Sequence, residues 1–177
     1  MDGPLKRPAL KRVVCTEHPD IIMLQETLGI SEDVKLWLEK LLPGWKFEAL
    51  DVRERSEGLA IGWNIRNIKP RKVWGMESMM GLSFSTRETK YIFTILNVYG
   101  AYLDRRPFWE KLFSNLIMRE SMLILGGDLN FTLGNAEVWG PHARVEPLSN
   151  FFTHHLADRN LLGGNLKLWM SEDDLGV

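Results

Sequence analysis

Residues 123–130 constrain the fold of this chain more than any other stretch. The short apolar run at 122–125 is typical of a fully buried strand, and the glycine pair after it predicts a sharp turn. Asp128 and Asn130 then follow the carboxyl end of that strand, at the edge of an α/β sheet where ligands normally bind. Leu129 between them points inward, so the stretch predicts a carboxylate and a carboxamide facing one cleft. A plain turn is the alternative, because Gly, Asp and Asn are the commonest turn residues.

Two further apolar runs also lead into polar or aromatic side chains. Pro19 ends the first helix, because the residue before a proline is pushed out of the helical region, and residues 21–24 follow as a buried strand. Glu26 comes directly after this strand. It is either a capping or loop residue or a site residue held at the edge of the sheet. A later strand at 91–98 leads into Tyr99 in the same way.

Length, composition and charge limit the class of protein. With 177 residues, 45% hydrophobic and 25% charged, the chain has the make-up of one globular domain, and its net charge of −1 neither supports nor excludes DNA as a partner. Cys15 is the only cysteine, which excludes an intramolecular disulfide and a cysteine-rich zinc site, and we expect it to be a small buried residue. Residues 1–12 do not resemble a signal peptide, and no apolar run approaches the roughly 20 residues of a membrane span. These features predict a soluble, intracellular protein with no membrane partner.

Apolar periodicity predicts strands that alternate with helices. Helices are expected at 5–14, 31–42, 104–117 and 147–156, and strands at 21–24, 46–50, 58–63, 82–85, 91–98 and 122–125. Ser31 is the predicted N-cap of the second helix and Asp104 that of the third. This order predicts a layered α/β domain.

The segment at 64–74 is rich in basic residues and is flanked by two tryptophans, Trp63 and Trp74. Its basic side chains are Arg66, Lys69, Arg71 and Lys72. The pattern resembles a basic patch interleaved with aromatics, as in nucleic-acid-binding proteins. An exposed hairpin loop has the same appearance, and we expect the loop.

Three strand ends together offer Glu26, Tyr99, and Asp128 with Asn130. A small number of carboxylates together with an amide suits Mg²⁺, which takes hard oxygen ligands and completes its shell with water and substrate phosphate. Mn²⁺ is the alternative ion. The natural candidate is a phosphoester hydrolase. Such an enzyme needs a metal, a carboxylate that orients or deprotonates water, and usually an imidazole. The adjacent pair at 154–155 cannot chelate one metal, because neighbouring residues point to different faces of a helix.

Four segments in order carry a resemblance to a known family. They are PDIIMLQET at 19–27, GLAIGW at 58–63, NVYG at 97–100 and GGDLN at 126–130. Together they resemble the endonuclease/exonuclease/phosphatase superfamily. Within it they are most similar to the endonuclease domain of plant LINE-type, non-LTR retrotransposons, whose members nick DNA to prime reverse transcription. The resemblance predicts a partial domain of this family at 1–162, followed by a divergent tail at 163–177.

By that resemblance, Glu26 is the Mg²⁺ ligand and Tyr99 lies on the phosphate side. Asp128 positions the attacking water, and Asn130 helps to orient the phosphate. The fold implied is α/β (α+β): a four-layer sandwich of two mainly antiparallel β-sheets flanked by helices. DNA is the implied partner, no small-molecule cofactor is implied, and a functional retroelement endonuclease would act in the nucleus.

The sequence also departs from the family pattern. Family members begin with a strand whose asparagine reaches the metal site, whereas this chain begins at what would be the following helix. They end with a Ser-Asp-His-type motif, and this sequence contains no Asp-His pair. We therefore expect a copy that is truncated at both ends and catalytically impaired. The alternatives are a non-catalytic remnant that keeps metal or nucleic-acid binding, and a phosphatase of the same superfamily.

Overall fold

The computed structural model describes residues 6–27, 29–51, 58–76, 78–133 and 146–161, and the tail expected at 163–177 lies outside them. The described elements are α1 (Lys6–Glu17), β1 (Ile21–Gln25), α2 (Ser31–Leu41), β2 (Trp45–Leu50), β3 (Leu59–Asn64), β4 (Ile68–Met76), β5 (Met79–Thr86), β6 (Phe93–Tyr99), α3 (Arg105–Ser114), a 3₁₀ turn (Leu116–Arg119), β7 (Leu123–Asp128) and α4 (Ser149–Ala157). The chain forms two compact units, 1–131 and 132–177. None of the described helices has the length and apolar character needed to cross a membrane.

The first unit contains two β-sheets. A three-stranded sheet has the order β1-β3-β2 and is antiparallel throughout. A four-stranded sheet has the order β4-β5-β6-β7 and is antiparallel except for the parallel pair β6 and β7. A parallel pair needs a long crossover, which α3 and the 3₁₀ turn supply. The fold class predicted from the sequence, two mainly antiparallel sheets flanked by helices, is confirmed.

The main core lies where the two sheets pack face to face. Side chains that alternate along β3 and β5 meet there because successive strand residues point to opposite faces. The buried members are Leu59, Ile61, Trp63, Ile68, Met80, Leu82, Phe84 and Ile95. The other face of the three-stranded sheet packs against α2 through a second cluster that includes Leu38, Phe47 and Ala60, and α1 joins it through Leu10 and Val14.

Two strands expected to be fully buried are outer strands. Within the described residues β1 pairs only with β3, and β7 pairs only with β6. All five residues of β1 are therefore half-buried, and Ile124 of β7 is 36% exposed. The sharp turn expected at the glycine pair is also wrong. Gly126 and Gly127 continue β7 because they pair with Asn97 and Val98 of β6.

Two local expectations are wrong, and a third is only partly confirmed. Ser31 is the first residue of α2 rather than its N-cap, and its N–H and hydroxyl donate to the carboxylate of Asp51 at 2.6 and 3.0 Å. Asp104 is the N-cap residue of α3, as expected, but its backbone is left-handed (φ 51°) and its side chain makes no capping hydrogen bond. Cys15 lies on the solvent side of α1 and is exposed.

The basic segment at 64–74 is not an open loop. A tight turn at 65–67 joins β3 to β4, and β4 then runs antiparallel to β5 with a bulge between Pro70 and Lys72. β4 is the outer strand of its sheet. Lys69, Arg71 and Lys72 are all exposed on it.

Candidate active site

The four residues singled out in the sequence lie at the same end of the strands. Tyr99 ends β6 and Asp128 ends β7, and the two are register partners in the parallel ladder. Asn130 follows two residues after Asp128, and Glu26 follows the last residue of β1. The carboxyl ends of neighbouring parallel strands share one edge of a sheet. That edge therefore brings an aromatic hydroxyl and a carboxylate side by side.

A hydrogen bond joins the two sheets at this edge. The Tyr99 hydroxyl donates to Oε1 of Glu26 at 3.3 Å, which is long for an O–H···O bond. The Tyr99 ring packs against the core between the sheets, whereas Glu26 and Asp128 are exposed. Both carboxylates are thus available to solvent and to a ligand, while the Tyr99 ring is anchored in the core.

Asn130 is held by the Asp128 carboxylate and by the backbone of Gly100. Its N–H donates to Oδ1 of Asp128 at 3.2 Å, and its Nδ2 donates to the carbonyl of Gly100 at 2.7 Å. The Gly100 N–H donates in turn to the Asp128 carbonyl at 2.6 Å. A Cβ at Gly100 would overlap the carbonyl of Leu129, so this contact requires glycine. The Asn130 carboxamide nitrogen is therefore committed to the backbone, and its oxygen is the atom it can offer to a ligand.

Glu26 and Asn130 both have left-handed backbones, with φ of 54° and 51°. This conformation costs roughly 1–2 kcal/mol in an L-residue other than glycine. At Glu26 the following residue explains it. Thr27 is buried, and its N–H donates to the carbonyl of Gly58 at 3.2 Å. A Cβ at Gly58 would overlap Thr27, so the close approach of these two backbones reverses the chain directly after β1.

Asn97 forms the floor of the site, a role that the sequence reasoning missed. Its side chain is completely buried between the sheets. Its Nδ2 donates to the carbonyls of Leu24 and Ala60, both at 3.0 Å, and its Oδ1 accepts from Nε2 of Gln25. One amide of β6 thus binds β1 and β3 just below Glu26. The available signal was a lone carboxamide inside an apolar strand, because a buried polar group needs partners.

The donor set suits a hard, hydrated metal ion. Among the residues that the structure describes, no three His, Cys, Asp or Glu side chains come together. The site offers oxygen donors, chiefly the carboxylates of Glu26 and Asp128. Mg²⁺ is commonly bound by one or two carboxylates with water and phosphate completing its shell, whereas structural zinc requires four protein ligands, usually nitrogen or sulfur. These residues fit Mg²⁺ or Mn²⁺ and do not fit a structural zinc site.

The described histidines have other surroundings. His18 is exposed and precedes β1, at the opposite end of that strand from Glu26. In the second unit, Nε2 of His154 lies 3.3 Å from the Asp158 carboxylate. His155 packs against the Phe151 ring with centroids 4.4 Å apart. Within the described part of the first unit, no imidazole lies at the candidate site.

The fold is a two-sheet α+β sandwich, and two carboxylates follow or end its strands at one edge. Residues 7–164 match the Endonuclease/Exonuclease/phosphatase family. The chain is a member of that family. No curated protein matches the chain in sequence.

Solved structures share the fold at low sequence identity. A family member from Bacteroides thetaiotaomicron is 14% identical with a TM-score of 0.54, covering 71% of this chain and 55% of its own. ANGEL2, a 2′,3′-cyclic phosphatase, is 16% identical with a TM-score of 0.57, covering 83% and 46%. D. rerio TDP2 complexed with a single-strand DNA product is 12% identical with a TM-score of 0.57, covering 93% and 61%. The chain spans about half the length of the first two.

Proposed function

We propose that this chain is a Mg²⁺-dependent phosphodiester hydrolase, the DNA endonuclease domain of a LINE-type retroelement, in a copy whose turnover is impaired. The observation that carries the proposal is the meeting of Glu26, Tyr99 and Asp128 at one strand edge. Family membership supports the hydrolase class. The LINE-type assignment rests on the amino-acid sequences of the four segments that carry the resemblance. Nuclear localisation is proposed because a LINE-type endonuclease would act in the nucleus.

Hydrolysis of a phosphodiester joins the oxygen of water to phosphorus, breaks one P–O ester bond and delivers a proton to the leaving oxygen. A bound Mg²⁺ would neutralise charge on the phosphate. Glu26 would hold the ion, and Asp128 would accept a hydrogen bond from the attacking water. The Tyr99 hydroxyl would donate to a phosphate oxygen in place of its bond to Glu26. Asn130 would help to orient the phosphate through a water or hydrated ion bound by its oxygen, because its Nδ2 donates to the Gly100 carbonyl.

DNA is the proposed substrate because the sequence segments are most similar to DNA-nicking enzymes. The bound single-strand DNA product in D. rerio TDP2 is consistent with this choice. A phosphatase of the same superfamily is the alternative, in line with the described activity of ANGEL2. The two differ in substrate rather than in the roles proposed for the four residues.

Impaired turnover is proposed because no imidazole lies at the candidate site in the described part of the first unit. The sequence has no Asp-His pair, and His18 is at the wrong end of β1. Loss of one general acid or base typically costs about 10²–10⁴ in rate. The second candidate function is therefore a non-catalytic remnant that retains metal or nucleic-acid binding.

Two measurements on the same variants separate these functions. In the first, supercoiled plasmid is incubated with Mg²⁺ and the whole chain, Asp128→Ala, Glu26→Gln, or the control Asp33→Ala, which removes an exposed carboxylate from α2. In the second, Mn²⁺ binding is measured by calorimetry. In the plasmid assay we expect slow nicking, which Asp128→Ala abolishes and Asp33→Ala leaves unchanged. In the calorimetric assay we expect Glu26→Gln to weaken Mn²⁺ binding by about tenfold or more, by analogy with the loss of groups around a metal.

The outcomes are distinct. Mn²⁺ binding through Glu26 without nicking above the Asp128→Ala background would support the remnant. Equal Mn²⁺ binding by the unmodified chain and Glu26→Gln would refute the proposed site. A longer chimera that adds a family first strand and a family carboxyl-terminal block should nick, and should lose that activity on Glu26→Ala.

A further inference from the structure

An open surface cavity lies on the outer face of the four-stranded sheet. It has a volume of about 350 Å³ and is formed between β4, β5 and the 3₁₀ turn. Its walls combine an indole, an ammonium group, an amide, a hydroxyl and a carboxylate, from Lys72, Trp74, Ser83, Asn115, Leu116, Ile117 and Glu120. Ligand pockets have a few hundred cubic ångströms and mix apolar surface with a few polar groups. This cavity has both properties.

The indole in this cavity rests on a glycine. Trp74 pairs with Gly81 of β5 in the ladder, and a Cβ at Gly81 would overlap the indole ring. Lys72 is two residues earlier in β4 and lies on the same face. Its ammonium group is 5.7 Å from the Trp74 ring centroid. A positive charge and a flat aromatic surface are thus held together at the mouth of one cavity.

This cavity is separate from the candidate active site. Through Gly81 and Leu96, Trp74 is in register with Leu125 of β7, three residues before Asp128. Three strand residues span roughly 10 Å. Trp74 also lies on the outer face of the sheet, while Tyr99 packs against the core between the sheets. A ligand at Trp74 would therefore not touch the four proposed active-site residues.

The lining chemistry favours a base joined to a phosphate. An indole stacks well on a nucleobase, and each base stacked on an aromatic side chain adds substantial affinity. The Lys72 ammonium suits a phosphate, and the exposed Lys69 and Arg71 continue positive charge along β4. The Glu120 carboxylate in the same wall disfavours a bare inorganic anion. Basic residues on an outer strand also discourage pairing with strands of other chains. Edge protection alone does not explain why a tryptophan lies beside these residues at a cavity.

We propose that this cavity binds one base of a single-stranded nucleic acid, with the base stacked on Trp74 in place of the Lys72 ammonium, which turns to an adjacent phosphate. This site accounts for the basic and aromatic segment at 64–74, which the candidate active site leaves unused. Strand binding here does not depend on hydrolysis or on a metal ion. The proposal therefore stands or falls separately from the proposed function.

The test measures fluorescence anisotropy of a labelled 12-nucleotide single-stranded DNA with the whole chain in EDTA. We expect Trp74→Ala to weaken binding about 5- to 150-fold, the range for loss of one stacked base, and Trp74→Phe to keep most of the affinity. Lys72→Ala should reduce the slope of log affinity against log salt by about 0.7, because one phosphate contact is lost. Lys40→Ala, which removes an exposed lysine from α2, should leave both affinity and slope unchanged.

The outcomes decide the proposal even if one variant fails to fold. Lys72 is exposed, so Lys72→Glu should fold, as a thermal melt will verify, and it should bind more weakly than the matched Lys40→Glu. Mn²⁺ binding should be the same in Trp74→Ala and the unmodified chain. The proposal is overturned if the unmodified chain does not bind the oligonucleotide. It is also overturned if Lys72→Glu and Lys40→Glu bind it equally.

Discussion

β1 and β4 are both outer strands, yet their sequences differ in almost every respect. β4 has nine residues, a bulge, Pro70 and three exposed basic side chains, Lys69, Arg71 and Lys72. These are the devices by which natural sheets protect an edge from pairing with other chains. β1 has five residues, no charge, no proline and no bulge. Its composition is that of an interior strand, although in the described part of the chain it pairs only with β3.

The difference shows what holds the strand that precedes Glu26. β4 relies on an ordinary ladder and on solvated charges. β1 has one ladder, and it is also tied to the opposite sheet through Asn97, which binds the Leu24 carbonyl and the Gln25 side chain. The Tyr99 hydroxyl adds a second tie at Glu26. The position of the candidate metal ligand therefore depends on polar contacts across the sandwich.

The largest effect is expected from removing the Asn97 amide. Asn97→Leu would leave the carbonyls of Leu24 and Ala60 buried without this donor, at about 1–3 kcal/mol for each unsatisfied group. We expect the free energy of unfolding to fall by about 3 kcal/mol or more, as measured by urea denaturation. Thr94→Val is the control, since Thr94 is equally buried on β6 but its side chain contacts one hydroxyl, that of Ser83 at 3.1 Å. If both variants lose the same stability, Asn97 has no special part in holding β1.

A smaller difference should separate the outer strand β1 from the central strand β5 in hydrogen exchange. Half of the amides of a strand with one neighbour point away from its ladder, and such strands open locally at lower free energy. We expect amides of β1 to exchange at least about tenfold faster than those of β5, which is roughly 1.4 kcal/mol. Equal protection of the two strands would show that β1 is covered by more than the ladder described here.

The other outer strand of the three-stranded sheet, β2, offers a test through pH. Glu39 of α2 is partly desolvated, which opposes ionisation, but hydrogen bonds from the Lys46 ammonium and the Phe47 N–H of β2 lower its pKa below the ordinary value. Because the folded pKa is depressed, the stability contributed is present above the unfolded pKa, near 4.5, and is lost as pH falls through the folded value. Glu39→Gln should therefore reduce the loss of stability between pH 7 and pH 3 by less than about 1 kcal/mol. Urea melts at both pH values measure this, and an unchanged loss would contradict the pKa shift.

The smallest effect on stability is expected at β4. Replacing Lys69, Arg71 and Lys72 together by threonine should change the free energy of unfolding by no more than about 0.5 kcal/mol, because all three are exposed. Aggregation should increase, however, because the edge would lose its protecting charges. Light scattering at matched concentration measures it, with Arg66, Arg87 and Lys90 replaced by threonine as the control. If aggregation does not increase over that control, the bulge and Pro70 are sufficient to protect the edge of β4 from pairing with other chains.

Sequence patterns predicted the parts of this fold that depend on neighbouring residues. The apolar runs located the strands at 21–24, 91–98 and 122–125, and polar residues after them pointed to the strand edge where Glu26, Tyr99 and Asp128 lie. Periodicity tells which face of a strand is apolar. It does not tell how many neighbours the strand has, so the outer positions of β1 and β7 were missed.

The other misses also involve residues far apart in the chain. Ser31 is bound by Asp51, twenty residues later, so its capping potential is used elsewhere. The carbonyls that bind Asn97 belong to residues 73 and 37 positions away. No local pattern can indicate such partners. The open loop expected at 64–74 became an outer strand because β5 lies close enough to pair with it.

The left-handed backbones at Glu26 and Asn130 make the candidate site detectable without any substrate. His18 and Asn160, which share this conformation, follow helices, where it is common. Glu26 and Asn130 follow strands instead. Asparagine tolerates this conformation, and the Asn130 side chain also donates to the Gly100 carbonyl, whereas at Glu26 the chain keeps a carboxylate where glycine would be the more stable choice. A glycine scan read out only by melting temperature should therefore show an increase at Glu26, and also at Asp104, whose left-handed backbone has no capping hydrogen bond. Selection for stability alone would remove the Glu26 carboxylate, so related sequences that keep it would record selection for activity.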